Sequence, residues 1–145
     1  MTQTIFVLNG PNLNMLGKRE PGIYGGKTLQ DIETECKSAG RELGIDIDFR
    51  QSNHEGVLVD WLHEAGDKAI GVAINAGAYT HTSVALHDAI RAISIPVVEL
   101  HISNVHAREE FRHKSMIAPA VKGVICGFGP YSYILALHAL KNITA

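Results

Sequence analysis

Cysteine is scarce in this chain of 145 residues: Cys36 and Cys126 stand far apart and form no CxxC pair. That excludes a disulfide scaffold and a thioredoxin-type redox motif, and predicts reduced thiols in a cytoplasmic protein. Basic charge is not in excess, with 13 Lys and Arg against 15 Asp and Glu and a formal net charge of -2. With no basic block, nothing points to nucleic acid as a partner. No apolar run approaches the length of a membrane span, so no membrane partner is expected. The start of the chain has no basic segment, apolar core and cleavage-like site in series, so no signal peptide is expected. Repeats, low-complexity tracts and linkers are also missing. What is present is ordinary for a folded protein: 46% hydrophobic residues is too high for disorder. The length suits one domain running over residues 1–145. Eight histidines are the first compositional hint of chemistry.

Hydrophobic patterning gives the element order. Ile5-Phe6-Val7-Leu8, Ile70 to Ile74 and Pro96 to Leu100 are short apolar runs ended by polar or turn residues, and read as strands buried on both faces. Ile45, Ile47 and Phe49 alternate with Asp46, Asp48 and Arg50, which reads as a strand near a sheet edge. Val124-Ile125-Cys126 is the last strand. Helical spacing runs from a Thr28 cap, with Asp31 at the third helical position, through Leu29, Ile32, Cys36, Ala39 and Leu43 to a stop at Gly44. It recurs over 55–68, with Leu58, Trp61, Leu62 and Ala65 on one face, and from about Ser83 to Ile93. A C-terminal helix follows Gly127-Phe128-Gly129-Pro130, with Tyr133, Ile134, Leu137 and Leu140 on one face. Residues 10–27 and the His- and Arg-bearing stretch up to Lys114 read as loops.

This alternation predicts an α/β fold, a doubly wound parallel sheet of five strands in the flavodoxin-like order 2-1-3-4-5 with helices on both faces. Such sheets bind ligands beyond the carboxyl ends of their strands. That rule selects Asn9 to Lys27, Asn75 to Thr82, and His101 to Arg112, the same segments that composition singles out as polar.

Several motifs are decoys. Gly22-Ile23-Tyr24-Gly25-Gly26-Lys27-Thr28 nearly spells a P-loop, but Pro21 stands where the first glycine belongs and the segment lies well past its strand. Asn9 to Asn14 contains no hydroxyl with which to cradle a flavin phosphate. His54-Glu55 and His63-Glu64 lack the second histidine of a zinc protease, and His101, His106 and His113 match no metal spacing, so no metal and no cofactor are expected.

The remaining constellation admits two readings at each place. Arg19 and Tyr24 lie in a Gly-rich loop that is either a lid or a mobile surface loop. Asn75 to Ser83 is either a site segment or an ordinary turn with Thr82 or Ser83 as helix cap. Glu99 and His101, two apart on a strand, point to one face, either as a carboxylate orienting an imidazole or as a core ion pair. Ser103 can offer a hydroxyl and an N–H to an anion. Arg108 and Arg112, four apart, would share a helix face, which is either anion-binding or merely solvated.

Leu8-Asn9-Gly10-Pro11-Asn12-Leu13-Asn14, Gly17-Lys18-Arg19-Glu20-Pro21, Tyr24-Gly25, Gln51 to Gly56, Gly77 to Ser83 and His101 to Arg112 together resemble the type II 3-dehydroquinate dehydratases, over essentially the whole chain. The resemblance implies a cofactor-free enzyme that removes water from 3-dehydroquinate through an enolate to give 3-dehydroshikimate. The pathway is either aromatic amino acid biosynthesis or quinate breakdown. It implies a homododecamer built as four trimers. It assigns Tyr24 as the base, acting as tyrosinate beside Arg19 and Arg108, and His101 as the acid, held by Glu99. Asn12 would place a water at the enolate oxygen, and Asn75 would orient His101 and the leaving hydroxyl. Ile102 and Ser103 would take the carboxylate, His81 and Arg112 the ring hydroxyls, and Asp88 would reach the site of a neighbouring subunit. Ala76 and His87 depart from the usual Pro and Arg of the pattern, touching loop rigidity or interface detail. Two rivals remain: a flavin or phosphate-binding module, which a yellow protein would reveal, and a non-catalytic scaffold, against which Tyr24 and His101 argue.

Overall fold

The computed structural model describes residues 2–18 and 26–145. Five parallel strands, β1 (Gln3–Asn9), β2 (Ile45–Gln51), β3 (Gly71–Asn75), β4 (Val97–His101) and β5 (Gly123–Cys126), form one sheet in the order β2-β1-β3-β4-β5. Helices α1 (Leu29–Leu43), α2 (Glu55–Lys68), α3 (Val84–Arg91) and α4 (Tyr131–Thr144) make the crossovers and the C-terminus. This is the flavodoxin-like order expected from the pattern.

The two-residue period of a strand divides the core. Ile5 and Val7 face one side with Ala73, Val98 and Leu100, where Ile32 and Cys36 of α1 and Tyr133, Leu137 and Leu140 of α4 cover them. Phe6 and Leu8 face the other side with Val72, Ile74 and Val97, under Leu58 and Leu62 of α2 and Leu86 and Ile90 of α3. Hence β1, β3 and β4 carry apolar residues at both parities, whereas only Ile45 of β2 is fully buried. β2 sits at one edge, as its alternation predicted, and β5 at the other. Both predicted caps form. Thr28 Oγ1 accepts from Asp31 N–H while Asp31 accepts from Thr28 N–H, and Ser83 Oγ accepts from Leu86 N–H at 2.9 Å.

Loop regions hold more structure than their composition suggested. Leu13–Met15 is a single 3₁₀ turn, and Leu13 and Leu16 are buried beneath it. Arg108 and Arg112 do not share a helix, contrary to the four-residue spacing argument. Val105–Ala107 and Glu110–Arg112 are separate 3₁₀ turns, and Arg108 between them is extended (φ -109°, ψ -166°). The Asn104 side chain, accepting from His106 N–H at 3.1 Å, starts the first turn and competes with a continuous helix.

Candidate active site

At the carboxyl ends of β1, β3 and β4 a cleft of about 130 Å³ is lined by Pro11, Asn12, Leu13, Leu16, Asn75, Gly77, Ala78, His81, His101, Ile102, Ser103, Val105, Arg108 and Arg112. All three segments selected by the strand-end rule contribute. Two glycines make their close approach possible. A Cβ on Gly10 would lie 2.2 Å from the Ala76 carbonyl oxygen, and Gly77 (φ +60°) would place one 3.1 Å from that of Pro11. Gly10 N–H donates to Asn75 O at 2.8 Å, tying the loop after β1 to the end of β3. Asn12 is the only non-glycine residue with positive φ among those described (φ 68°), a conformation asparagine tolerates, and its N–H donates to Asn53 Oδ1 at 3.0 Å.

His101 ends β4 and is 6% exposed; behind it Glu99 is 1% exposed. His101 Nε2 lies 2.5 Å from Glu99 Oε2. The carboxylate accepts, so Nε2 carries a proton and Nδ1 is the ring nitrogen left for a ligand. Glu99 takes a second bond from the Ser115 hydroxyl, 3.0 Å from both carboxylate oxygens. His81 stacks near His101, ring centroids 6.4 Å apart and planes 17° from parallel. Its Nδ1 lies 2.8 Å from the Lys114 carbonyl oxygen, which can only accept, so Nδ1 carries a proton and Nε2 is the ring nitrogen left for a ligand. Arg108 Nη1 reaches Ser103 Oγ at 3.4 Å, and Arg112 Nε donates to Glu109 at 3.0 Å. A backbone hydrogen bond first, and then this contact with the charges of Arg112 and Arg108, hold the Glu109 carboxyl below its usual range.

Asn75 is fixed from below. Its Nδ2 donates to Tyr133 Oη at 3.0 Å, its Oδ1 accepts from Gly77 N–H at 3.2 Å, and Tyr133 Oη donates to Asn9 Oδ1 at 2.6 Å. No hydrogen bond joins Asn75 to His101 among the described residues; Tyr133 and Gly77 are what orient its amide. Burial pushes the Tyr133 phenol well above its ordinary range, so it stays a donor.

Of the residues singled out in the sequence, Asn12, Asn75, His81, His101, Ile102, Ser103, Arg108 and Arg112 meet at the cleft, with Glu99 directly behind. Asp88 does not: it is exposed on α3, away from this cleft. Arg19 and Tyr24 lie outside the described residues. Sequence reasoning missed Ser115 and the hydroxyl of Tyr133. Tyr133 was legible only as an apolar helix face, and Ser115 had no local signal. Among the described residues no group of three or more His, Cys, Asp or Glu side chains could hold a metal ion.

The profile of the family described as dehydroquinase class II matches residues 3–141. A 3-dehydroquinate dehydratase of Rhizobium johnstonii is 92% identical over 145 residues, the full length of both chains. That of Brucella canis is 63% identical over 143 residues, covering 99% of this chain and 91% of its own. The crystal structure of the type II dehydroquinase from Propionibacterium acnes superimposes with a TM-score of 0.94 at 45% identity, covering 98% of each chain. With a strand-end cleft of this make-up and likeness extending through the whole length, the chain belongs to the class II dehydroquinase family.

Proposed function

We propose that the chain, as one dehydroquinase domain over residues 1–145, removes water from 3-dehydroquinate to give 3-dehydroshikimate. The elimination is anti and passes through an enolate, without cofactor. The observation that carries this reading is the buried Glu99–His101 pair set at the floor of a cleft whose other walls offer two arginines, a second histidine and asparagine amides. A small anionic hydroxy-ketone needs such a lining: cationic groups to offset its charge, and hydrogen-bond donors for its carboxylate and hydroxyls.

The reaction breaks a C–H bond next to the ketone, whose electrons pass into an enolate. The enolate collapses, forming the ring double bond and expelling hydroxide, which leaves as water. Tyr24 as tyrosinate takes the first proton. A phenol titrates near 10, so Arg19 and Arg108 must favour the anion. His101, held by Glu99 and carrying a proton on each ring nitrogen when substrate is bound, gives the second proton from Nδ1. Asn12 holds a water at the enolate oxygen, and Asn75 directs its amide toward the leaving hydroxyl. Ile102 and Ser103 take the carboxylate, and His81 and Arg112 the ring hydroxyls. No lysine lines the cleft among the described residues, and segment 19–25 contains none, which favours an enolate over an imine. The pathway is aromatic amino acid synthesis or quinate breakdown. The enzyme is cytoplasmic, a reading supported by free Cys36 and Cys126 and by the finding that no described helix is long and apolar enough to cross a membrane. It works as a homododecamer of four trimers in which Asp88 serves a neighbouring site.

The test is to add 3-dehydroquinate and follow the conjugated enone by ultraviolet absorbance, with and without EDTA. Absorbance should rise equally in both. Tyr24→Phe should nearly abolish the rise while circular dichroism stays unchanged. No rise with the native chain, or ordinary turnover by Tyr24→Phe, would overturn the substrate or the base respectively.

A further inference from the structure

Outside the cleft, the segment following the His- and Arg-rich turns makes an arrangement that the proposed mechanism does not use. Ser115 Oγ accepts from Ala118 N–H at 2.9 Å. With that lone pair engaged, its one proton is directed at Glu99, 3.0 Å from each carboxylate oxygen. The hydroxyl therefore spans both oxygens of the Glu99 carboxylate, one of which, Oε2, also accepts from His101. A buried carboxylate with one partner could rotate about its terminal torsion; a second partner that spans both oxygens restrains that rotation, and with it the imidazole the carboxylate accepts from. The same segment is anchored independently. Met116 N–H donates to Thr80 O at 2.7 Å, His81 Nδ1 donates to Lys114 O at 2.8 Å, and Ile117 is fully buried in the core beneath α2 and α3. One short strap thus holds both cleft histidines, His81 through its backbone and His101 through a side chain and Glu99.

We propose that Ser115 is a positioning residue for acid catalysis, acting through Glu99 to hold His101 in the orientation from which it protonates the leaving group. This rests on the reading of His101 as the acid. Ser115 does not line the cleft and is not itself catalytic.

The experiment compares Ser115→Ala, Ser115→Thr and His101→Ala with the native enzyme on 3-dehydroquinate. Ser115→Ala should lower kcat about tenfold, less than the 10²–10⁴-fold that an acid itself supplies, and leave KM within about twofold. The solvent deuterium isotope effect on kcat should rise, because proton delivery becomes slower relative to the other steps. Ser115→Thr keeps the hydroxyl and should restore both kcat and the isotope effect. Loss of the Ala118 cap alone would lower the thermal midpoint or the active fraction of Ser115→Ala without moving the isotope effect, and that outcome overturns the proposal. So does a Ser115→Ala kcat within about twofold of native while His101→Ala is crippled, which leaves the acid assignment standing. Near-native turnover by His101→Ala would remove the acid role itself, and the positioning role with it.

Discussion

Tyr133 shows how one hydroxyl can hold two strand ends. It is 1% exposed, donates to Asn9 on β1 and accepts from Asn75 on β3, and so fixes the amide that faces the cleft. Tyr133→Phe keeps the ring but leaves two buried amide groups without their partner, at a cost of about 1–3 kcal/mol each where the group is not rescued by water. The thermal midpoint should fall by several degrees, and kcat should drop with it because Asn75 loses its anchor. A pH signature separates the hydroxyl from the ring. The folded phenol titrates above the usual 10.0, chiefly through burial, so its contribution is complete below pH 10 and is lost as pH rises through the folded value. Native protein should therefore lose stability more steeply above pH 10 than Tyr133→Phe does. Equal alkaline slopes in urea titrations would show that the phenol is not buried in solution. Such residues were hard to read in the sequence for a physical reason. The partners of Tyr133 lie 58 and 124 positions away, and the carboxylate of Glu99 lies 16 from Ser115, so no local period or motif reports these contacts. Glu99 and His101, by contrast, were legible because strand geometry puts i and i+2 on one face.

Among elements, the edge strand β2 relies on charge where the central strands rely on apolar burial. Arg50 donates to Asp48 and to Glu64 on α2 through bonds of 2.8 Å, and its guanidinium lies 4.5 Å from the Phe6 ring centroid and 5.5 Å from that of Trp61. The fork therefore clamps α2 to the sheet edge. Its hydrogen bonds hold the Glu64 carboxyl at about 2, below its ordinary 4.5. The stability this contributes is present above pH 4.5 and is lost as pH falls through about 2. Glu64 is 31% exposed, so solvent screens part of the effect. Glu64→Gln should melt below native protein at pH 7, and the gap should close between pH 4.5 and 2; a gap that persists at pH 2 would place the effect in packing instead. The same contrast explains what the pattern of elements yielded. Strands, caps and order follow from two-residue and 3.6-residue periods and local capping, all written in consecutive residues. The paired turns around Arg108 were misread because Asn104 uses a side-chain bond to start a turn that i, i+4 spacing cannot reveal.

On the scale of the whole molecule, the placement of Asp88 is informative. It lies on the exposed side of α3, away from the cleft of its own chain. Large apolar side chains are exposed elsewhere: Val84 beside it on α3, Phe111, Val124 on the edge strand β5, Phe128 and Tyr131. An open edge strand and apolar surface of this kind favour association with further copies. If Asp88 completes a neighbour's site in a closed symmetric assembly, two inactive variants should repair each other. An Asp88→Ala subunit keeps His101 but brings no Asp88 to its neighbour; a His101→Ala subunit does the reverse. Each homo-oligomer should be nearly inactive on 3-dehydroquinate. Co-expressed in equal amounts and assembled at random, about a quarter of sites would pair an intact His101 with a neighbour's intact Asp88, so activity should recover to about a quarter of native. Mixing the finished oligomers without dissociation should recover none. Light scattering on the same samples reads the subunit number directly. If Asp88 served only its own chain, or α3 alone, co-expression would leave activity at the level of the two variants separately, and the shared site would be lost as an explanation even if the assembly proved to be a dodecamer.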